Sequence, residues 1–255
     1  MPAIGGHVFL CTIFEPTAAS CRYNPLRPHS DGDTVSQSDK KRRAAERALE
    51  YIEPGTVLGV GTGSTVNRLI DALPDIAPRL SALVASSRAT EARLRARGLE
   101  VSELEQTGDL DLYIDGADEA NKHFHLIKGG GGALTREKIL AAAARKFVCI
   151  IDDSKWVATL GAFPLPVEVI PMAADFVARQ FVRARGRPVI REDYRTDNGN
   201  EILDCAFEEG IADAGQLDRE LNRLPGVVEN GLFVGLAHVL VIGSDDGSIE
   251  VREKS

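Results

Sequence analysis

Apolar positions along most of this chain fall into two alternating periods. Val66, Leu69, Ile70 and Leu73 stand at i, i+3, i+4 and i+7, the spacing of one buried helix face. The run "TVLGV" just before them lacks polar alternation and predicts a buried strand, with "GTGST" as the turn between. An earlier helix carries Ala45, Ala48, Leu49 and Ile52 along one side; Ser38 or Asp39 can cap it, and Pro54 with Gly55 stops it. The unit then repeats as strand "ALVA", turn "SSRAT", a helix ending near residue 97, and strand "DLYI", whose end delivers Asp115 into a loop. Beyond a run of four glycines, "ALTREKILAAAARK" predicts a helix and "FVCII" another buried strand.

Strands alternating with helices predict an α/β fold: a parallel sheet with helices on both faces, its ligands gathered beyond the carboxyl ends of the strands. "GTGST", "SSRAT", "DGADE" and "DDSK" all follow strands. The texture changes at "FPLPVEVIP", where Pro164, Pro166 and Pro171 interrupt the alternation. A helix over about 173–185, a hairpin signal "TDNGN", the strand "EILDCAF", a short helix near 217–221 and "GVV" then follow in the order of a small α+β domain. The last apolar run, "HVLVIG", is expected to return to the main sheet. The predicted organisation is therefore a main domain over 38–160 and 236–255 with a smaller α+β domain, 161–235, inserted into it.

Residues 1–37 follow neither period and hold four of the 12 prolines. No Lys or Arg precedes their one apolar run, "HVFLCTIF", which excludes the charged start of a signal peptide. The segment is expected to be a poorly ordered extension, with Val35 as an alternative initiator. An organellar transit peptide using Arg22 and Arg27 is the competing reading.

Charge narrows the function classes. A formal net charge of -8 and a pI of about 5.2 exclude a general nucleic-acid binder, which needs a basic face, so an anionic ligand must meet locally placed lysines. Cys11, Cys21, Cys149 and Cys205 show no paired zinc spacing and no disulfide framework, which points to a reducing, cytoplasmic location. Cys149, inside "KFVCII", reads as a small buried hydrophobe. No stretch reaches the ~18 to 20 apolar residues of a membrane span.

The glycine loops are selective in what they permit. "GVGTGST" is not the dinucleotide pattern GxGxxG, because Ser64 stands in the third glycine's place, and the next strand ends in Ser86 and Ser87 rather than a ribose-binding acid. Neither glycine run fits a nucleotide triphosphate loop. What remains is a strand-to-helix turn whose amides and Thr62, Ser64 and Thr65 hydroxyls suit a single phosphate. A plain tight turn, with Ser64 or Thr65 only capping the helix, is the alternative. Asp115, Asp118, Glu119, His123 and His125 carry metal-binding groups but match no metal spacing, so neither a metal nor a cofactor is expected. "DGAD" alone can be a turn, and Glu137 alone a favourable charge in a first helical turn.

Taken in order, these motifs resemble ribose-5-phosphate isomerase of the A type. The likeness rests on "GVGTGST", "YIDGADE", "LIKGGGGALTREK", "DDSK" and "FPLPVEVIP", and it continues through "TDNGN" and "PGVV". It runs from about Asp39 to the end of the chain, with one departure at Gly132, where some members have alanine. The resemblance implies a Rossmann-like main domain, a ferredoxin-like smaller one, and a homodimer or homotetramer. It also implies interconversion of ribose 5-phosphate and ribulose 5-phosphate through an enediol, without cofactor or metal.

By the same resemblance Glu137 is the base, and Lys128 with the amides of Gly129, Gly130 and Gly131 steadies the developing oxyanion. Asp115 and Asp118 hold sugar hydroxyls along the Gly116 and Ala117 turn, and Asp115 assists ring opening. Thr62, Gly63, Ser64 and Thr65 take the phosphate, and Lys155 is a substrate contact. Lys41 matches a basic position at the phosphate end, although a solvated "KKRR" face explains it equally. A helix start lowers the pKa of Glu137, whereas burial and acidic neighbours raise it, and the sequence leaves that balance open. The competing functions are an amino-sugar phosphate isomerase or deaminase of similar fold and a sugar-phosphate-binding regulator without turnover.

Overall fold

The computed structural model describes residues 35–183 and 185–254. Helix α1 (Gln37–Ala48) opens the described chain. Its cap is Ser36, not the expected Ser38 or Asp39, because the Asp39 amide is itself the orphan donor that the Ser36 hydroxyl satisfies. The helix also begins inside the range expected to be an extension, and the Val35 amide donates to Asp245 O at 3.0 Å. The remaining expectations for that range, including Arg22 and Arg27, lie outside the described residues.

After α1 come β1 (Thr56–Val60), α2 (Ser64–Ala72), β2 (Leu80–Ala85), α3 (Arg88–Ala96), the single-turn α4 (Leu104–Thr107) and β3 (Leu110–Asp115). Two short strands, β4 (Glu119–Ala120) and β5 (Leu126–Ile127), lead to α5 (Leu134–Ala143) and β6 (Ala144–Asp152). The helix expected over residues 133–146 thus ends early. Ala144 pairs with Leu110 and Lys146 with Leu112, so sheet pairing overrides the helix propensity of "AARK".

The chain continues through β7 (Leu165–Val169), α6 (Ala174–Arg183), β8 (Arg187–Ile190), β9 (Glu201–Ala206), α7 (Ala214–Leu221) and β10 (Val227–Asn230). It closes with β11 (Leu232–Phe233), β12 (Val239–Gly243) and β13 (Ile249–Glu253). The main sheet has the order β13-β12-β6-β3-β1-β2 and is parallel except for β13. That antiparallel edge departs from the all-parallel expectation. The turn "SDDGS" folds the chain back, with Gly247 at φ 79°, and "IEVRE" pairs with β12.

Side chains of β3 and β6 alternate between two cores, as a pleated strand requires. Ile114, Val148 and Ile150 pack with residues of α1, α2 and α3, whereas Tyr113, Phe147, Cys149 and Ile151 pack with Leu140 and Ala141 of α5. Helices therefore cover both faces, and the structure has the α/β form expected of it. A second sheet, β10-β7-β9-β8, is antiparallel and packs Leu165, Val167, Val169 and Leu203 against Val177 and Phe181 of α6. "TDNGN" lies in the connection between β8 and β9 and closes on itself through Thr196 N–H to Asn200 O at 3.0 Å. Glu168, fully buried on β7, accepts hydrogen bonds from Thr196 Oγ1 and Asn200 Nδ2 at 2.8 Å and also from Thr135 at the start of α5. That carboxylate ties the connection of the second sheet to the helix that bears Glu137.

Candidate active site

The carboxyl ends of β1, β3 and β6 open on one cleft, the place where a parallel sheet presents its ligands. Of the residues singled out in the sequence, Lys41, Thr62, Gly63, Ser64, Thr65, Gly116, Ala117, Asp118, Lys128, Gly129, Gly130, Gly131, Glu137 and Lys155 all line it. Asp115 does not. Its carboxylate is fully buried beneath the cleft, accepting from Thr62 N–H at 2.9 Å, Gly116 N–H at 2.7 Å and the Tyr113 hydroxyl. Direct ring opening by Asp115 is therefore not what this geometry supports. Asp115 instead anchors the first glycine turn and pairs with Lys128, whose Nζ is 2.7 Å from Asp115 Oδ2.

Lys128 is also 2.6 Å from the Gly116 carbonyl, to which it donates, and 3.2 Å from Glu137 Oε2. The last approach is close enough for strong attraction, but it lacks hydrogen-bond geometry and leaves Glu137 Oε2 buried without a hydrogen-bond partner among the described residues. A buried, unsatisfied carboxylate oxygen is costly unless a ligand completes it. Burial pushes the Glu137 pKa up to about 8; Lys128 opposes the shift and Asp115 reinforces it. The balance left open by the sequence thus goes to desolvation, although Glu137 stands in the first turn of α5. For Lys128, burial favours the neutral amine, but Asp115 and Glu137 outweigh it and hold the pKa above its ordinary value.

At the opposite end of the cleft, α2 begins with Gly63 at its cap and, among the described residues, no side chain satisfying its first amides. These N–H groups, at the start of a helix of nine residues and next to the Ser64 hydroxyl, are donors of the kind that can receive an anion. Lys41 donates to Ser64 Oγ at 3.1 Å. Its neighbours go elsewhere: Lys40 is buried against Asp153 and Asp245, and only Arg42 and Arg43 are exposed in the manner of a solvated charge run. Thr62 differs from expectation. Its hydroxyl turns away to Ser86, Ser87 and Thr90, at 2.9, 2.8 and 3.1 Å, so it braces the turn instead of offering a free donor.

Sequence reasoning passed over Gln37 and Asp152, which also line the cleft. Asp152 stood in "DDSK" at the end of a strand, and that position was its available signal. Ser86 and Ser87 counted only as missing acids, yet they hold Thr62 in place. Among the described residues no three His, Cys, Asp or Glu side chains gather around a common point that could hold a metal ion. Glu119 instead accepts from the amides of Gly161 and Phe163, at 2.7 and 2.5 Å.

Glycine at position 61 is required by proximity. A Cβ there would lie 1.9 Å from Asp115 Cγ. Gly61→Ala is expected to displace the Asp115 carboxylate and destabilise the protein by about 1–3 kcal/mol, the usual cost of forced overpacking, as read from urea unfolding midpoints. Gly132 has a similar explanation: at φ 79° it leaves room for Tyr194, whose hydroxyl oxygen sits 1.9 Å from where a Cβ would be. The tyrosine fills the space an alanine methyl would take.

The family model of ribose 5-phosphate isomerase A (phosphoriboisomerase A) matches residues 82–247. The chain belongs to this family. A relative named ribose-5-phosphate isomerase A, from Acidithiobacillus ferrooxidans, is 57% identical over 211 residues, covering 82% of this chain and 96% of its own length. Among solved structures, ribose 5 phosphate isomerase A from Neisseria gonorrhoeae matches with a TM-score of 0.83 at 39% identity, covering 87% of this chain and 99% of that one. A D-ribose-5-phosphate isomerase in complex with phospho-erythronic acid matches with a TM-score of 0.82 at 33% identity, covering 86% and 100%. The protein is thus an isomerase.

Proposed function

We propose that Glu137 carries the proton between C2 and C1 as this isomerase interconverts ribose 5-phosphate and ribulose 5-phosphate. The observation that carries the assignment is the buried Glu137 carboxylate on the cleft, one oxygen unsatisfied and Lys128 Nζ 3.2 Å away. In the open-chain aldose, ionised Glu137 removes the C2 proton, and the electrons pass through C1 to leave an enediolate with its charge on O1. The same carboxyl group returns the proton to C1 while the O2 hydroxyl proton passes to O1, giving the ketose with no net change in atoms. Lys128 places its positive charge beside those oxygens, where a cation in a water-poor site is most effective. Asp115 keeps Lys128 charged and in place, and Asp118, whose Oδ2 accepts from Gly130 N–H at 2.8 Å, faces the sugar hydroxyls.

The first amides of α2, the Ser64 and Thr65 hydroxyls, Lys41 and Lys155 take the phosphate. The related isomerase in complex with phospho-erythronic acid shows that a phosphorylated sugar acid is a ligand of that protein, which supports a phosphate-binding end here. The acid's carboxylate is planar and anionic, features it shares with an enediolate although its two oxygens sit on one carbon and not on two, and such mimics gain affinity from groups arranged for the intermediate. We further assign the main sheet and the antiparallel sheet to separate domains, 38–160 with 236–255 and 161–235. A cytoplasmic homodimer or homotetramer completes the proposal, to be sized by light scattering; no described helix is long and apolar enough to cross a membrane.

The pH dependence tests the base. Glu137 works only when ionised, and its pKa in the free enzyme is about 8. The expected profile of kcat/KM rises about tenfold per pH unit below that value and levels above it. A flat profile between pH 6 and pH 9 would contradict the assignment.

A further inference from the structure

Three consecutive glycine carbonyls behind the cleft are all engaged by one connection of the antiparallel sheet. Arg191, just after β8, forms a two-pronged pair with Asp204 of β9, Nε to Oδ2 at 2.9 Å and Nη2 to Oδ1 at 2.6 Å. The same guanidinium reaches back to Gly129 O through Nη1 and Nη2, and to Gly130 O through Nη1, each at 3.3 Å. Tyr194 donates to Gly131 O at 3.2 Å, and the Arg191 guanidinium lies 5.3 Å from the centre of its ring. Four glycines in succession have little conformational preference of their own. Something outside the run has to choose which way its peptides face.

In a trans peptide the N–H points opposite to the C=O, so an anchor on the carbonyl fixes the direction of the next residue's amide. The peptide joining Gly129 to Gly130 shows the result: Arg191 holds its oxygen on one side and Asp118, in the cleft lining, accepts its N–H on the other. The peptide joining Gly130 to Gly131 has the same anchor on its oxygen. Its N–H has no hydrogen-bond partner among the described residues, and Gly131 lines the cleft.

We propose that Arg191 is a positioning residue for the isomerisation, holding the Gly130–Gly131 peptide so that the Gly131 N–H is aimed at the substrate oxygen that gains charge. The planar fork suits this task because one face pairs with a carboxylate while the remaining donors meet two carbonyls. The antiparallel sheet thereby contributes to transition-state stabilisation without touching substrate. This inference rests on the enediolate chemistry proposed above, and the test separates the two.

Arg191→Gln is compared with the wild-type enzyme using ribose 5-phosphate, with inorganic phosphate and a four-carbon phosphorylated aldonate as competitive inhibitors. The expected result is a kcat lower by about 10- to 100-fold, the scale of a misaimed oxyanion donor. KM and inhibition by inorganic phosphate stay within about threefold, and inhibition by the aldonate weakens by about tenfold, because only its carboxylate uses the Gly131 amide. The acid limb of kcat/KM does not move, since Glu137 is untouched. Arg191→Lys, which keeps a cation opposite Asp204 but loses the fork, is expected to fall between the two, and it carries the comparison if the glutamine variant does not fold. A folded variant with kcat within about twofold of wild type would overturn the proposal, as would equal losses toward phosphate and aldonate. If Glu137→Gln retained wild-type activity, the base assignment would fall while the Arg191 comparison still reported on oxyanion stabilisation.

Discussion

Glu137→Gln is expected to lower kcat for ribose 5-phosphate by about 10² to 10⁴, the range contributed by a positioned general base. The substitution is nearly isosteric, so the phosphate turn and Lys128 remain available and KM changes little. It also separates catalysis from stability. The folded-state pKa of Glu137, about 8, lies above its ordinary value of 4.5, so the folded protein retains a proton that the unfolded chain releases. That difference penalises folding progressively as pH rises from the lower value to the higher, and the full penalty is present above pH 8. Glutamine never ionises. The variant is therefore expected to gain thermal stability relative to wild type as pH is raised from 5 to 9 while remaining catalytically impaired, a combination that simple misfolding does not produce.

Lys128→Met is expected to have the largest effect on stability. Lys128 is 2% exposed and stands between two carboxylates that are themselves nearly inaccessible, Asp115 at 0% and Glu137 at 4%. Removing one partner of a buried ion pair costs about 3–5 kcal/mol, because the charge left behind has lost its compensation. In the variant both carboxylates face burial and mutual repulsion, and Glu137 loses the cation that opposes its upward pKa shift. The loss relative to wild type should then be smaller at pH 5, where Glu137 holds its proton at little cost, than at pH 8, where holding it costs stability. Urea unfolding at the two pH values measures this difference; equal losses at both would contradict the paired arrangement. Turnover should fall as well, since the enediolate loses its nearest cation.

The gathering of Asp118, Lys128 and Glu137 at one cleft was legible because it is written locally. "YIDGADE", "IKGGGG" and "LTREK" each end or begin an element that the hydrophobic period locates, so Asp118, Lys128 and Glu137 could be assigned to strand ends and a helix start. What was not legible depends on contacts between distant segments. Asp115 looks like a cleft residue in sequence, yet the close approach of Gly61 and the buried Tyr113 hydroxyl draw its carboxylate beneath the floor. Thr62 looks like a free hydroxyl, and only the packing of β1 beside β2 brings Ser86 and Ser87 within reach of it. Lys40 and Lys41 are adjacent in a charge run, but the helix turns one into an ion-pair cluster and the other toward the phosphate turn. Arg191 carried no signal, since the glycines it holds lie far from it along the chain, while its nearer partner Asp204 sits on the adjacent strand β9.

Proton exchange at carbon tests the central claim most directly. In deuterated water the wild-type enzyme should place deuterium at C1 of ribulose 5-phosphate and at C2 of ribose 5-phosphate, followed by proton NMR as the corresponding signals decay. A folded Glu137→Gln enzyme that still binds a phosphorylated four-carbon aldonate should show that exchange slowed by at least about 10². Exchange at the wild-type rate in this variant would mean that another group moves the proton and that Glu137 is not the base.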